Sequence, residues 1–122
     1  MSKRQAIVAV VDDDTSMLRA METLLEAHGF KTLLFTSAEE FLTQSASSKV
    51  TCLLLDVDLG GMSGIELHKQ LKNSGAALPT IFMTALDDEG TRTEAAAEGA
   101  VAFLRKPFPA RQLIDAIKKS AS

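Results

Sequence analysis

Acidic residues directly follow two apolar segments of the sequence, and this arrangement suggests metal or phosphoryl chemistry. The run 6–11, rich in small and β-branched residues, is typical of a strand buried on both faces. Three consecutive aspartates, 12–14, follow it, and a second apolar run, 52–55, is followed by Asp56 and Asp58. Ligands bind at the carboxyl ends of strands in open parallel sheets. Carboxylates gathered there repel one another unless a cation or shared protons neutralise them, so the pattern predicts a cation site.

Two further apolar segments end in residues that suit phosphoryl transfer. Thr84 follows the run 80–83, and Lys106 comes shortly after 101–104. An aspartate can act as a nucleophile and form an aspartyl phosphate, while a hydroxyl and an ammonium stabilise charge on the transferred group. Acids after strands also serve as turn formers and helix caps. We assign that role to Asp14, but chance does not readily explain four such strand ends.

Strand-like and helix-like segments alternate along the whole chain. Capping boxes at 37–40 and 63–66 mark two helix starts, Gly29 and Gly99 mark helix ends, and Pro109 suits the first turn of the last helix. The predicted strands are 6–11, 32–35, 51–55, 80–83 and 101–104, and the helices include 15–28, 88–98 and 109–119. The alternation predicts an α/β fold, a doubly wound five-stranded parallel sheet forming one domain, 1–122.

Composition excludes several classes of protein. Hydrophobic residues at 46% and charged residues at 24% argue against disorder. The net charge of −3 argues against direct nucleic-acid binding by this chain. No apolar stretch approaches the roughly 18 residues of a membrane span. The single cysteine, Cys52, lies in an apolar run, which favours core packing and fits a reducing cytoplasm.

Four segments, in this order and spacing, resemble the receiver domain of bacterial two-component response regulators. They are Val10–Asp14, Leu55–Asp56 with Met62–Gly64, Met83–Ala85, and Gly99–Phe108. The resemblance covers essentially the whole chain, whereas any one of these motifs alone would be weak. It implies a flavodoxin-like (βα)5 fold with strand order 2-1-3-4-5.

The resemblance also implies a phosphorylation site with its metal ion. Asp56 would accept a phosphoryl group from a sensor histidine kinase or a histidine phosphotransfer protein. Asp13 and Asp56 would bind Mg²⁺ or Mn²⁺ directly. Asp12 would help through a water molecule, and Asp58 would contribute its backbone carbonyl.

The remaining roles implied by the resemblance concern the phosphoryl oxygens and the switch. Thr84, Lys106 and the backbone N–H of Ala85 would bind the phosphoryl oxygens. Thr84 and Phe103 would relay phosphorylation to the face built from helix 4, strand 5 and helix 5, where two phosphorylated chains could pair. The Lys106–Pro107 bond would be cis. Such a protein assists its own phosphorylation and dephosphorylation and is not a turnover enzyme.

The chain departs from the family pattern in the loop after Asp56. Gly60 stands where the family usually has proline, and Gly61 follows it, so we expect a looser loop and a less firmly positioned third helix. Asp58 adds a negative charge at a variable position of the family. In helix 4 the candidate core-facing residues are Ala95–Ala97, which predicts weak attachment to the sheet.

Two other functions stay open at the level of sequence. Asp56 and Asp58 resemble the nucleophile and the acid/base of haloacid-dehalogenase-type phosphatases, with Thr84 and Lys106 as further motifs. Against that assignment, the chain is short, lacks a cap domain and places its acidic pair before the nucleophile. The other alternative is a receiver-like binding module that is never phosphorylated. The histidines, His28 and His68, lack a second ligand at metal spacing, so we expect ordinary surface or packing roles.

Overall fold

The computed structural model describes residues 6–44, 49–85 and 89–120. Its elements are β1 (Ile7–Val11), α1 (Thr15–Ala27), β2 (Lys31–Phe35), α2 (Ala38–Gln44), β3 (Cys52–Asp56), α3 (Gly64–Asn73), β4 (Thr80–Thr84), α4 (Glu89–Ala97), β5 (Ala102–Arg105) and α5 (Ala110–Ser120). The predicted loop 45–48 and the predicted start of the fourth helix at 88 lie outside the described residues. Within the described ranges, every helix is too short or too polar to cross a bilayer.

The five strands form one parallel sheet in the order β2-β1-β3-β4-β5, which confirms the expected order. Val10 of β1 is paired with Leu34 of β2 on one side and with Leu54 of β3 on the other. From β1 the chain therefore continues toward the β2 edge of the sheet, whereas from β3 it continues toward the β5 edge. This reversal opens a crevice at the carboxyl ends of β1 and β3, where α/β sheets bind ligands.

Alternate residues of the central strands pack into two separate apolar cores. Ala9 and Val11 of β1 contribute to the core under α2, α3 and α4, with Phe41 and Ile65 from those helices. The intervening Val8 and Val10 contribute to the core under α1 and α5, which includes Leu18 and Leu113. Because β1 is buried on both faces, it reads in the sequence as an uninterrupted apolar run. The doubly wound architecture is therefore confirmed.

Side-chain caps fix the helices that flank the crevice. As predicted, Asp14 caps α1, since its Oδ1 accepts hydrogen bonds from the amides of Ser16 at 2.9 Å and Met17 at 3.3 Å. The predicted capping box of α3 is complete: Ser63 Oγ accepts from the Glu66 amide and Glu66 Oε1 accepts from the Ser63 amide, both at 3.1 Å. These caps set where the loops after β1 and β3 end.

The predicted capping box of α2 forms in one half only. Ser37 Oγ accepts a hydrogen bond from the Glu40 amide at 3.0 Å. Glu40 Oε1 instead accepts from the amide of Thr36 at 2.7 Å, one residue before the expected partner. The carboxylate also accepts from the Thr36 hydroxyl at 3.3 Å, a second contact that holds it there.

Three alanines of α4 were predicted to face the core, and for two of them the prediction is wrong. Of the nine residues of α4, all within the described ranges, Ala95 alone is buried, and Ala96 and Ala97 are exposed. The helix is also held at its C-terminal end by Glu98, whose Oε1 lies 2.8 Å from His68 Nδ1 and 3.3 Å from Lys72 Nζ. Polar contacts with α3 thus supplement a small apolar contact with the sheet.

The start of α3 lies directly against the end of β3. A Cβ atom added to Gly64 would overlap the carbonyl oxygen of Asp56. The Gly64 amide donates a hydrogen bond to the Val57 carbonyl at 3.1 Å. Only a residue without a side chain allows this approach, which fixes α3 relative to Asp56.

We therefore predict that Gly64→Ala destabilises the protein by about 1–3 kcal/mol, because the methyl group must displace backbone atoms. Urea denaturation followed by circular dichroism measures the change. Gly60→Ala is the matched control, since the nearest atom to its added Cβ is 4.0 Å away. Equal unfolding midpoints for the two variants would contradict the role assigned to Gly64.

Candidate functional site

Two buried aspartates lie side by side at the carboxyl ends of β1 and β3. Asp12 follows β1, is fully buried, and its Oδ1 accepts a hydrogen bond from the Asp14 amide at 2.9 Å. Asp56 is the last residue of β3, is 5% exposed, and its Oδ1 accepts from the Asp58 amide at 2.9 Å. In both aspartates, the backbone amide two residues later donates to Oδ1, which leaves Oδ2 for another partner.

The ammonium of Lys106 binds the second oxygen of each aspartate. Lys106 Nζ lies 2.8 Å from Asp12 Oδ2 and 3.1 Å from Asp56 Oδ2. Lys106 comes from the loop after β5 and is 94 residues from Asp12 in the sequence. Buried carboxylates are costly unless they are paired. This lysine therefore stabilises a pair of acids that the fold places together.

The surroundings of Asp56 favour its protonated form. Its pKa is raised from 3.8 to about 6, chiefly by burial and also by the nearby charge of Asp12. The Asp58 amide and Lys106 act in the opposite direction, because both favour the carboxylate. Burial alone would lower the pKa of Lys106, but its hydrogen bonds to Asp12 and Asp56 raise it above the usual value.

The acidic residues have the arrangement and chemistry of a magnesium site. Carboxylate oxygens of Asp12, Asp13 and Asp56 all lie within 4.8 Å of one another, and Asp13 is exposed at the mouth of the crevice. Mg²⁺ prefers oxygen ligands, usually takes one or two protein carboxylates and keeps several water molecules. Two buried acids and one exposed acid fit this preference, because the open side leaves room for water.

The remaining residues predicted for the site lie on the same edge of the sheet or near it. Thr84 ends β4 and is fully buried, and its carbonyl accepts a hydrogen bond from the Lys106 amide at 2.7 Å. Ala85 follows at the surface. Asp58 is exposed, and its amide is directed to Asp56. The peptide bond between Lys106 and Pro107 is cis.

Phe103 is farther from this edge than the other predicted residues. It is paired with Phe82 of β4, two residues before the Thr84–Arg105 pair at the end of the sheet. Its half-buried ring packs against the core beneath α4, and the guanidinium of Arg92 lies 5.3 Å from the ring centroid. Phe103 thus contacts α4 and not the acidic cluster.

The structure reveals features near the site that the sequence did not indicate. An apolar cavity of about 460 Å³ borders Lys106, and it is lined by Met17, Met21, Ala85, Lys106, Pro107 and Phe108. The spacing of Met17 and Met21 predicts core packing and gives no sign of a cavity. Glu39 of α2 also reaches the loop after β3, where its Oε2 accepts a hydrogen bond from the Met62 amide at 3.3 Å.

The chain is similar over nearly all of its length to curated bacterial regulators. The response regulator protein TodT of Pseudomonas putida is 36% identical over 118 residues, which are 97% of this chain and 52% of that protein. The transcriptional regulatory protein FixJ of Azorhizobium caulinodans is 37% identical over 113 residues, 93% of this chain and 54% of that protein. The chain therefore spans about half the length of these curated relatives.

A solved structure and a family model complete the comparison. The crystal structure of FixJ-N has a TM-score of 0.87 and 31% identity to this chain, and the match covers 99% of this chain and 95% of that one. Residues 8–118 match the family model described as the response regulator receiver domain. The chain belongs to the response-regulator receiver domain family.

Proposed function

We propose that this protein is a phosphorylation-controlled signalling switch in which Asp56 accepts the phosphoryl group. The observation that carries the proposal is the contact of Lys106 with Asp12 and Asp56, with Asp13 at the mouth of the same crevice. The arrangement provides a nucleophile, a cation-binding set of acids and a positive charge beside the nucleophile. Receiver domains of this family are signalling modules that interact with histidine kinases and bind Mg²⁺ at an acidic pocket.

In the proposed reaction an oxygen of Asp56 attacks the phosphorus of a phosphohistidine. The new O–P bond forms as the P–N bond breaks, and the histidine nitrogen leaves with the bonding electron pair and takes up a proton. We assign the attack to Oδ2, because the backbone amide of Asp58 holds Oδ1 whereas the partner of Oδ2 is a side chain, that of Lys106. Once the O–P bond has formed, the Lys106 ammonium would move from Asp56 Oδ2 to the negatively charged phosphoryl oxygens.

The other residues of the site would bind the cation and the phosphoryl oxygens. Asp13 and Asp56 would hold Mg²⁺ or Mn²⁺ directly, Asp12 would hold it through water, and Asp58 would use its backbone carbonyl. When bound, the cation would neutralise charge shared between the acids and the phosphoryl oxygens. Thr84 and the Ala85 amide would donate hydrogen bonds to those oxygens.

Phosphorylation would act through a population shift at α4. Thr84 would move toward the phosphoryl group and Phe103 would turn inward, which changes the surface formed by α4, β5 and α5. The small apolar attachment of α4, with Ala95 as its buried residue, supports this proposal. Two phosphorylated chains could pair through that surface.

The partners that we propose are inferred from the curated relatives. They are about twice as long as this chain, and FixJ is named a transcriptional regulatory protein. We therefore assign residues 1–122 to a cytoplasmic receiver domain that interacts with a histidine kinase or phosphotransfer protein. The chain itself would bind neither membrane nor nucleic acid.

Membership of a family of signalling regulators argues against the haloacid-dehalogenase-type phosphatase.

Asp56→Asn should abolish phosphorylation by acetyl phosphate and Mg²⁺, because the amide is a poor nucleophile. Intact-mass spectrometry should show an addition of about 80 Da (PO₃H) to the wild type and none to Asp56→Asn. Asp14→Asn is the matched control, since asparagine also caps helices well. Full incorporation by Asp56→Asn would rule out the proposed phosphorylation site. A phosphatase using Asp58 would require Asp58→Asn to lose activity toward a phosphomonoester.

The metal-free protein should be less stable at pH 7 than at pH 5. Because folding raises the pKa of Asp56 from 3.8 to about 6, this group's contribution to stability is full below about pH 4 and is lost as the pH rises through 6. We expect a loss of about 1–2 kcal/mol between pH 5 and 7. The lowered pKa of Glu98 has the opposite sign, but it acts below pH 4.5.

Urea denaturation in EDTA at the two pH values measures this loss. The difference should disappear in Asp56→Asn, and Mg²⁺ should restore stability at pH 7 by neutralising the cluster. Equal pH dependence in the wild type and Asp56→Asn would contradict the assignment of the effect to Asp56.

Helix α4 should exchange its amide hydrogens faster than α1, because Ala95 alone anchors it in the core while α1 buries Leu18, Met21 and Leu25. Exchange in α4 should slow when Asp56 is phosphorylated. Hydrogen–deuterium exchange with and without acetyl phosphate measures both effects, with Asp56→Asn as the control. Protection of α4 equal to that of α1 in the unmodified protein would overturn this prediction.

A further inference from the structure

The loop between β3 and α3 is fixed at both ends. At its start the Val57 amide donates a hydrogen bond to the Met83 carbonyl at 2.8 Å. At its end the Ser63–Glu66 capping box and the close approach of Gly64 to the Asp56 carbonyl hold the first turn of α3. Between these points the chain passes through Gly60 and Gly61, both exposed. Two consecutive glycines give this segment a large conformational freedom in the absence of other contacts.

Glu39 supplies such a contact from a different element. It lies in the first turn of α2, and its Oε2 accepts a hydrogen bond from the Met62 amide, 23 residues away in the sequence. The same carboxylate lies against the backbone of Gly61, because a Cβ atom added there would be 3.0 Å from Oε2. The glycine therefore permits the approach that the hydrogen bond requires.

The part of the loop that Glu39 holds is next to the acidic cluster. A Cβ atom added to Gly60 would lie 4.0 Å from Asp13 Oδ2, so a side chain at this position would just reach the mouth of the crevice. Asp58, two residues earlier, is hydrogen-bonded to Asp56 through its amide. One residue, Leu59, separates Asp58 from Gly60, so the conformation of the glycine segment bears on the orientation of the Asp58 backbone carbonyl.

We infer that Glu39 is a positioning residue for the cation site, an inference that rests on the proposed function. By holding the Met62 amide, it restricts the glycine loop to the conformation that presents the Asp58 carbonyl beside Asp13 and Asp56. Its contact replaces, from outside the loop, the backbone restriction that a proline at position 60 would provide from within. Glu39 acts on the cation only through this loop.

The test uses the full chain and four variants. Glu39→Ala removes the acceptor, and Glu39→Gln keeps an amide oxygen as acceptor while removing the charge. Gly61→Ala keeps Glu39 but places a methyl group where its carboxylate lies. The double variant Glu39→Ala/Gly61→Ala shows whether the two changes act through the same contact. Amide exchange at Met62 measures the contact without metal, and an NMR titration with Mg²⁺ measures the dissociation constant.

We expect faster Met62 exchange and about two- to tenfold weaker Mg²⁺ binding in Glu39→Ala and Gly61→Ala, the range expected for one hydrogen bond. The double variant should be no weaker than either single one. Glu39→Gln should stay within twofold of the wild type, which separates positioning from loss of negative charge. Unchanged Mg²⁺ affinity in Glu39→Ala, with faster Met62 exchange, would overturn the inference. A wild type that binds no Mg²⁺ would instead overturn the proposed function.

Discussion

The contact of one ammonium with two buried carboxylates is the interaction on which the site depends. Asp12 and Asp56 lie on adjacent strands because β1 and β3 are paired, and burial in a low-dielectric environment makes their charges costly. Lys106 compensates by binding one oxygen of each. One positive charge between two acids leaves the group negative, so it retains an attraction for a further cation. The same desolvation raises the pKa of Asp56 and so couples protonation to folding.

The sheet is what brings these groups together. Each strand ends at the same edge because all strands are parallel, and the order β2-β1-β3-β4-β5 places β1 and β3 at the centre. The Lys106 amide is hydrogen-bonded to the Thr84 carbonyl, so the lysine's backbone is held by the adjacent strand. Short-range contacts at strand ends thus fix groups that are up to 94 residues apart in the sequence.

Much of this architecture could be predicted from the sequence, for a physical reason. Strands buried on both faces must be apolar throughout, so 6–11 and 51–55 were recognisable, and Asp14 and Ser63 carry the short polar side chains that cap helices. The order of the strands came from the family resemblance, because pairing between apolar strands leaves no mark in composition. Contacts between residues distant in the sequence were missed, such as Glu39 with Met62 and His68 with Glu98. No periodicity encodes which acid meets which amide or imidazole. The two exposed alanines of α4 show the same limit, since an alanine suits either a core or a surface position.

The pairing of Glu98 with His68 and Lys72 makes the C-terminal end of α4 the pivot for any rotation of this helix. These contacts hold the helix just beyond its C-terminus, whereas its first turn has no buried residue. Nine residues of helix extend about 13 Å. A small rotation about this pivot therefore moves the first turn much more than the last. Arg92, the fourth residue of α4, lies over the Phe103 ring, so such a rotation would change the contact between α4 and β5.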